Sequence, residues 1–216
     1  MEPTENPGRE RILARMRRAL TVPSAKHRAS GERKLIFAPV GHPLDRFQEE
    51  CKANNTECRT VPDRTASAAA IAQILGSLPA GEVFVEDSSA LREMASAWPR
   101  IHNFRWSSEG PPGEASQATI THAEALVALT GSVLVSAECG GRGASIIAPI
   151  HIVVAGLDQL VPDLESAFSR QGERGTLSRN SFLCLITGSS RTADIEKILV
   201  MGAHGPRRLI VVLSLQ

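Results

Sequence analysis

The sequence contains no tyrosine, and two tryptophans with six phenylalanines hold the aromatic share to 4%. That scarcity removes the stacking platforms on which single-stranded nucleic acids are held. No excess of one charge takes their place. Lysine and arginine number 24 against 23 acidic residues, a formal net charge of +1, so the concentrated basic face of a nucleic-acid binder is not expected. Cysteine is sparse and scattered, at Cys51, Cys58, Cys139 and Cys184. No two form a C-x-x-C pair, which speaks against zinc ribbons and iron–sulfur ligation and fits inert thiols in a reducing compartment. The six histidines share no metal-ligand spacing, so neither a metal nor another cofactor is called for. No apolar h-region opens the chain and no unbroken apolar run reaches spanning length. The expectation is a cytoplasmic protein without a membrane span, and attachment to a larger complex stays open.

What is present is an ordinary globular balance, 42% hydrophobic and 22% charged residues in 216. That suits one large domain, or one domain with a small appendage. Ile12, Leu13, Met16 and Leu20 fall at helical spacing among Arg9, Arg11, Arg15, Arg17 and Arg18, a basic amphipathic helix able to meet acidic partners or to dock on its own domain. Residues 21–33 read as a linker. This sets a boundary between a helix-and-linker segment at 1–33 and an α/β domain at 34–216. Strand-like runs at 34–38, 56–61 and 82–85 alternate with helical patterns at 43–53, 66–78 and 90–98. Residues 107–118 read as a loop or a short turn of helix. Strands at 125–129 and 132–136 suit a tight hairpin about Thr130–Gly131. An apolar stretch at 146–155, a helix at 158–170, a strand at 181–186, a helix at 192–201 and a strand at 208–213 follow. The fold class is α/β, with a mixed, mostly parallel sheet and flanking helices.

The densest local signal is Thr187-Gly188-Ser189-Ser190-Arg191-Thr192-Ala193-Asp194-Ile195-Glu196. Read as strand, turn and helix, it offers unpaired amides at a helix start, an open glycine backbone, serine hydroxyls and a guanidinium, which together suit a carboxylate or phosphate. The same residues also make a plain helix cap, with Asp194 and Glu196 complementing the dipole. His204, between Gly202 and Gly205, is placed for acid–base work or for a turn hydrogen bond. His151 opens an apolar strand, where a satisfied core histidine is the competing reading. Gly140-Gly141-Arg142-Gly143 matches neither dinucleotide nor Walker spacing and precedes a strand, so it reads as a flexible loop from which Arg142 could reach a ligand.

The run from Gly188 to Glu196, followed by Gly202-Ala203-His204-Gly205-Pro206, resembles the C-terminal signature of the lactate utilization protein C family (LUD domain). The order upstream agrees: Thr130-Gly131-Ser132, then Pro149-Ile150-His151-Ile152-Val153-Val154, then Val161-Pro162-Asp163-Leu164. The resemblance covers roughly residues 119–213. It implies a fold related to ribose-5-phosphate isomerase, glucosamine-6-phosphate deaminase and CoA transferases. It also implies a part in oxidising L-lactate to pyruvate beside two partner proteins that carry iron–sulfur clusters. One departure stands out. Where the family usually has Ala-Glu-Thr-Gly-Thr, this chain has Ala128-Leu129-Thr130-Gly131-Ser132, so the acid is replaced by Leu129.

The leading expectation is an accessory subunit that binds a small anionic ligand with Thr130, Ser132, Gly188, Ser189, Ser190, Arg191 and His204. A stand-alone isomerase- or CoA-transferase-like enzyme, with Glu138, His151 and His204 as catalytic candidates, is the alternative. A non-catalytic scaffold is the third reading.

Overall fold

The computed structural model describes residues 7–21, 37–193, 199–201 and 205–216. The chain divides into two units, Met1–Ala38 and Pro39–Gln216. The first contains helix α1 (Pro7–Thr21), entered through a proline, a residue suited to a first turn whose amides have no partner.

The second unit is built on a six-stranded, wholly parallel sheet. Its strands are β1 (Thr56–Val61), β2 (Glu82–Val85), β3 (Asn103–Trp106), β4 (Ser116–His122), β7 (Ile150–Gly156) and β12 (Arg208–Ser214), in the order β1-β12-β7-β4-β2-β3. A second sheet joins β8 (Leu160–Val161), β5 (Ala125–Val127), β6 (Ser132–Ser136) and β9 (Leu183–Ile186). Helices α2 (Pro43–Ala53), α3 (Arg64–Gly76), α4 (Ser89–Ala95), α5 (Leu164–Glu173) and α6 (Thr176–Arg179) complete it.

The layers follow from the two-residue period of the strands. On β7 and β12, Ile150, Ile152, Val154, Ile210 and Val212 face one core, which Ile71, Ile74 and Leu75 of α3 and Leu91 of α4 close. Val153, Ala155, Leu209, Val211 and Leu213 face the other, filled by Phe47 and Cys51 of α2 and by Leu126, Val133 and Val135 of the smaller sheet. With both faces covered, the central strands carry near-continuous apolar runs. A third, smaller core sets Ala167 of α5 against Ala125, Val127 and Leu134.

Helix starts are fixed by side-chain caps. Asp63 accepts the Ala66 amide at 2.8 Å and Asp163 the Ser166 amide at 2.8 Å. Replacing Asp163 by alanine orphans that amide and is expected to cost about 1 kcal/mol, read as a lower urea midpoint.

The α/β class and the dominance of parallel pairing agree with the sequence, but several elements differ. Strands β3 and β4 were not anticipated, and β4 takes residues assigned to a loop at 107–118. Strand β7 starts at Ile150 rather than at 146, with Ile146 and Ile147 exposed ahead of it. The helix expected at 158–170 is a short turn, then β8, then α5, on which Phe168 is exposed. The strand expected at 34–38 falls partly outside the described residues, and Phe37 and Ala38 belong to no strand. In place of the helix at 192–201, β10 (Arg191–Ala193) pairs antiparallel with β11 (Leu199–Met201), Thr192 opposite Val200. Among the described residues, no helix is long and apolar enough to cross a membrane.

Candidate functional site

Strand β9 ends at Ile186, Thr187 follows, and the chain turns at Gly188 with φ of +78°, a left-handed conformation that L side chains rarely adopt. The turn presses on the end of α2. A side chain at Gly188 would collide with the Asn54 carbonyl oxygen, so the glycine is what lets the two backbones meet. Asn54 in turn donates through Nδ2 to the Thr130 carbonyl at 3.0 Å. A chain of hydroxyls runs behind the turn. Thr130 Oγ1 and Ser132 Oγ lie 2.7 Å apart, and Ser132 Oγ lies 2.7 Å from Thr187 Oγ1. The Ser190 amide donates to the Pro206 carbonyl at 2.8 Å, which ties the turn to the approach of β12.

These contacts frame a cavity of about 430 Å³ whose lining includes Asn54, Ser145, Thr187, Gly188, Ser189 and Ser190. Ser145 is 6% exposed, and its Oγ has no hydrogen-bond partner. A buried hydroxyl without a partner costs about 1–3 kcal/mol, so its presence in a residue of the cavity lining is a reason to look for a ligand there. Of the residues singled out from sequence, Gly188, Ser189 and Ser190 line the cavity. Thr130 and Ser132 stand one hydrogen bond behind it. Of Arg191 only the backbone in β10 is described, and His204 lies outside the described residues. The helix start expected after Ser190 is replaced by β10. The case for a ligand here therefore rests on hydroxyls and a tight glycine turn, not on a helix dipole.

Of the catalytic candidates, neither His151 nor Glu138 lines this cavity. His151 is 1% exposed in β7, with Nε2 2.9 Å from Thr121 Oγ1 and no partner for Nδ1. Burial alone pushes its pKa down to about 4, so the ring is neutral at neutral pH. Glu138 is exposed and lies 3.5 Å from Arg179, on the rim of a second cavity of about 380 Å³ with Gly140, Gly141 and Arg142. Arg142 donates to the Ser181 carbonyl and hydroxyl at 3.3 and 3.2 Å and lies over the Phe182 ring. Leu129, in the position where the resembling family carries glutamate, spends its amide on the Pro162 carbonyl.

A polar cluster that no motif announces sits at the carboxyl ends of β2 and β4. Glu86 accepts the His122 amide at 2.7 Å and lies 3.3 Å from ring Nδ1, with Ser88 Oγ 3.4 Å away. Nearby, Glu124 accepts from Ser136 at 2.6 Å. Burial, chiefly, pushes the Cys139 thiol up to about 12, which makes it a poor nucleophile. These residues come from separate strands and loops, so spacing along the chain could not reveal them. The place is informative, because open parallel sheets hold ligands beyond their carboxyl ends where the connections change direction. Here the chain steps outward from β2 to β3 and then returns past β2 to β4. Among the described residues, no group of three or more His, Cys, Asp or Glu could hold a metal ion.

Residues 113–214 match the model of the LUD domain. Over 99 residues the chain is 31% identical to a lactate utilization protein C of Deinococcus radiodurans, covering 45% of this chain and 46% of that one. Over 126 residues it is 32% identical to a lactate utilization protein C of Bacillus subtilis, covering 54% and 52%. The chain thus spans about half the length of the curated relatives it matches. Among solved structures it is similar to a DUF162 family protein from Deinococcus radiodurans, with a TM-score of 0.61 and 19% identity. That match covers 80% of this chain and 96% of the other and establishes a shared fold.

Proposed function

We propose that this chain, which matches the LUD domain over residues 113–214, serves lactate utilization by binding a small hydroxy- or keto-carboxylate in the cavity at Gly188–Ser190. The observation that carries this reading is Ser145, a residue of the cavity lining whose buried hydroxyl has no hydrogen-bond partner. Around it stand the hydroxyls of Thr187, Ser189 and Ser190, each able to donate to a carboxylate or to accept from a ligand hydroxyl. Arg191, next in the chain, is assigned the countercharge, and His204 is assigned to the same site on sequence alone. In this reading the chain is the accessory subunit, and electrons pass through partner proteins with iron–sulfur clusters, the division of labour the family resemblance implies.

Calorimetry on the full chain with L-lactate, pyruvate, inorganic phosphate and CoA tests the assignment. One of the two small carboxylates is expected to bind best, and Arg191→Ala to abolish the signal. Unchanged binding in that variant would defeat the proposal. Ser145→Ala is expected to weaken binding about tenfold, equivalent to about 1.4 kcal/mol. In the free protein it is expected to be neutral or to raise stability by about 1 kcal/mol, because it removes an unpaired buried hydroxyl.

A second reading is favoured by the Glu86–His122 pair, a carboxylate and an imidazole in contact at the edge where such sheets carry chemistry. If the chain is itself an enzyme, this pair is the acid–base centre. Turnover of an acyl-CoA or a sugar phosphate by the purified chain, lost in His122→Gln, would establish it. No turnover of either substrate would leave the binding role standing alone.

A further inference from the structure

We propose that α1 is a membrane-surface anchor, whose arginines meet anionic lipid headgroups while Ile12 and Met16 enter the acyl boundary. The near-zero charge of the chain conceals a division. Up to Ala38 there are nine basic and four acidic residues, and from Pro39 onward fifteen basic and nineteen acidic. The first unit therefore carries +5 and the second −4, an asymmetry typical of segments that bind polyanionic surfaces.

The helix has the matching shape. At about 100° per residue, Ile12, Leu13, Met16 and Leu20 fall within an arc of about 100°. Arg17 borders one side of it, Arg11, Arg15 and Arg18 lie beyond the other, and Arg9, one turn earlier and 3.4 Å from Glu10, falls inside it. Ile12 is 59% exposed and Met16 58%, while Leu13 is half-buried. Among the described residues, no carboxylate lies within 4.0 Å of Arg11, Arg15, Arg17 or Arg18.

A bilayer suits this helix better than a protein groove does. The helix carries five arginines against the single acid Glu10, a balance that matches an anionic headgroup layer. A narrow apolar arc flanked by arginines is instead the form that lies flat in an interface, its long stems reaching back to phosphate oxygens. Fifteen residues make a helix about 22 Å long, short of a bilayer crossing, so the contact is along the surface. The inference does not depend on the cavity at Gly188–Ser190.

Co-sedimentation of the full chain with unilamellar vesicles tests it. With equal parts phosphatidylglycerol and phosphatidylcholine the chain is expected to pellet at low salt and to be released as salt rises. With phosphatidylcholine alone it is expected to stay in the supernatant. The paired changes Ile12→Ser with Met16→Ser, and Arg15→Gln with Arg18→Gln, are each expected to weaken vesicle binding by on the order of tenfold without moving the thermal unfolding of the Pro39–Gln216 unit. No pelleting with the mixed vesicles at low salt overturns the proposal. So does binding that survives loss of the two apolar side chains, which would make the arginines a site for an acidic protein or nucleic acid instead.

Discussion

Gly131→Ala is expected to lower the stability of the Pro39–Gln216 unit by about 4 kcal/mol, at the upper end of what single substitutions do. Gly131 sits at φ +61°, ψ +29°, a left-handed conformation that costs a residue with a Cβ about 1–2 kcal/mol. The larger part is steric. An added Cβ would lie 2.8 Å from the Cys51 nitrogen and 2.8 Å from the Glu50 carbonyl carbon. These are backbone atoms of α2, which cannot rotate aside, and Cys51 is itself locked in the core at 1% exposure. The whole helix end would have to retreat. Gly188, just past the strand paired with the one that follows Gly131, presses on the same helix end through Asn54, so the two turns clamp it together. Guanidinium unfolding measures the effect, with Gly41→Ala as control because nothing lies within 4 Å of a Cβ there. Equal midpoints for the Gly131 and Gly41 variants would show that the clamp does not exist.

Acidification from pH 7 to pH 4 is expected to remove about 3 kcal/mol of stability through His151 alone. Burial lowers the folded-state pKa of this ring from 6.5 to about 4. Above pH 6.5 the imidazole is neutral in both states and its contribution is intact. Between 6.5 and about 4 only the unfolded chain takes up the proton, so folding loses about 1.4 kcal/mol per pH unit. Below about 4 both states are protonated and the loss is complete. The effect is isolated by comparing urea unfolding at pH 7 and pH 5 in the parent and in His151→Gln, which does not titrate. The parent should lose about 2 kcal/mol more than the variant over that interval. Identical losses would mean that water or a rearrangement solvates the charged ring.

These two residues also show how far the sequence could be read. Where burial follows hydrophobicity, the elements are legible. The expected bounds of α2, β1 and β2 are those observed, and Gly131 falls in the turn predicted between two apolar runs. The reading fails where polar residues occupy core positions. Strand β4 carries Thr119 and Thr121 fully buried beside His151, and threonines in the core do not register as an apolar period. It also fails where tertiary pairing overrides a local pattern, as at β10 and β11, whose residues carry apolar side chains at a spacing equally suited to a helix.

The cavity was half legible. Gly188, Ser189 and Ser190 form a contiguous run that signals a turn. Asn54 and Ser145 reach it from distant parts of the chain and carry no local mark. Glu86 and His122 are neighbours only because the strand order places β2 beside β4.

Strand β12 has a consequence for how the protein is made. It lies between β1 and β7, in register with both, so the larger sheet is completed from its middle. Until residues 208–214 leave the ribosome, β1 has no strand to pair with, and β7 presents a bare apolar edge. Such edges invite pairing with other chains. Nascent chains paused before this segment should therefore be the aggregation-prone species and the ones that chaperones hold, and most of the pairing in this sheet must wait for contacts distant in sequence, which slows folding.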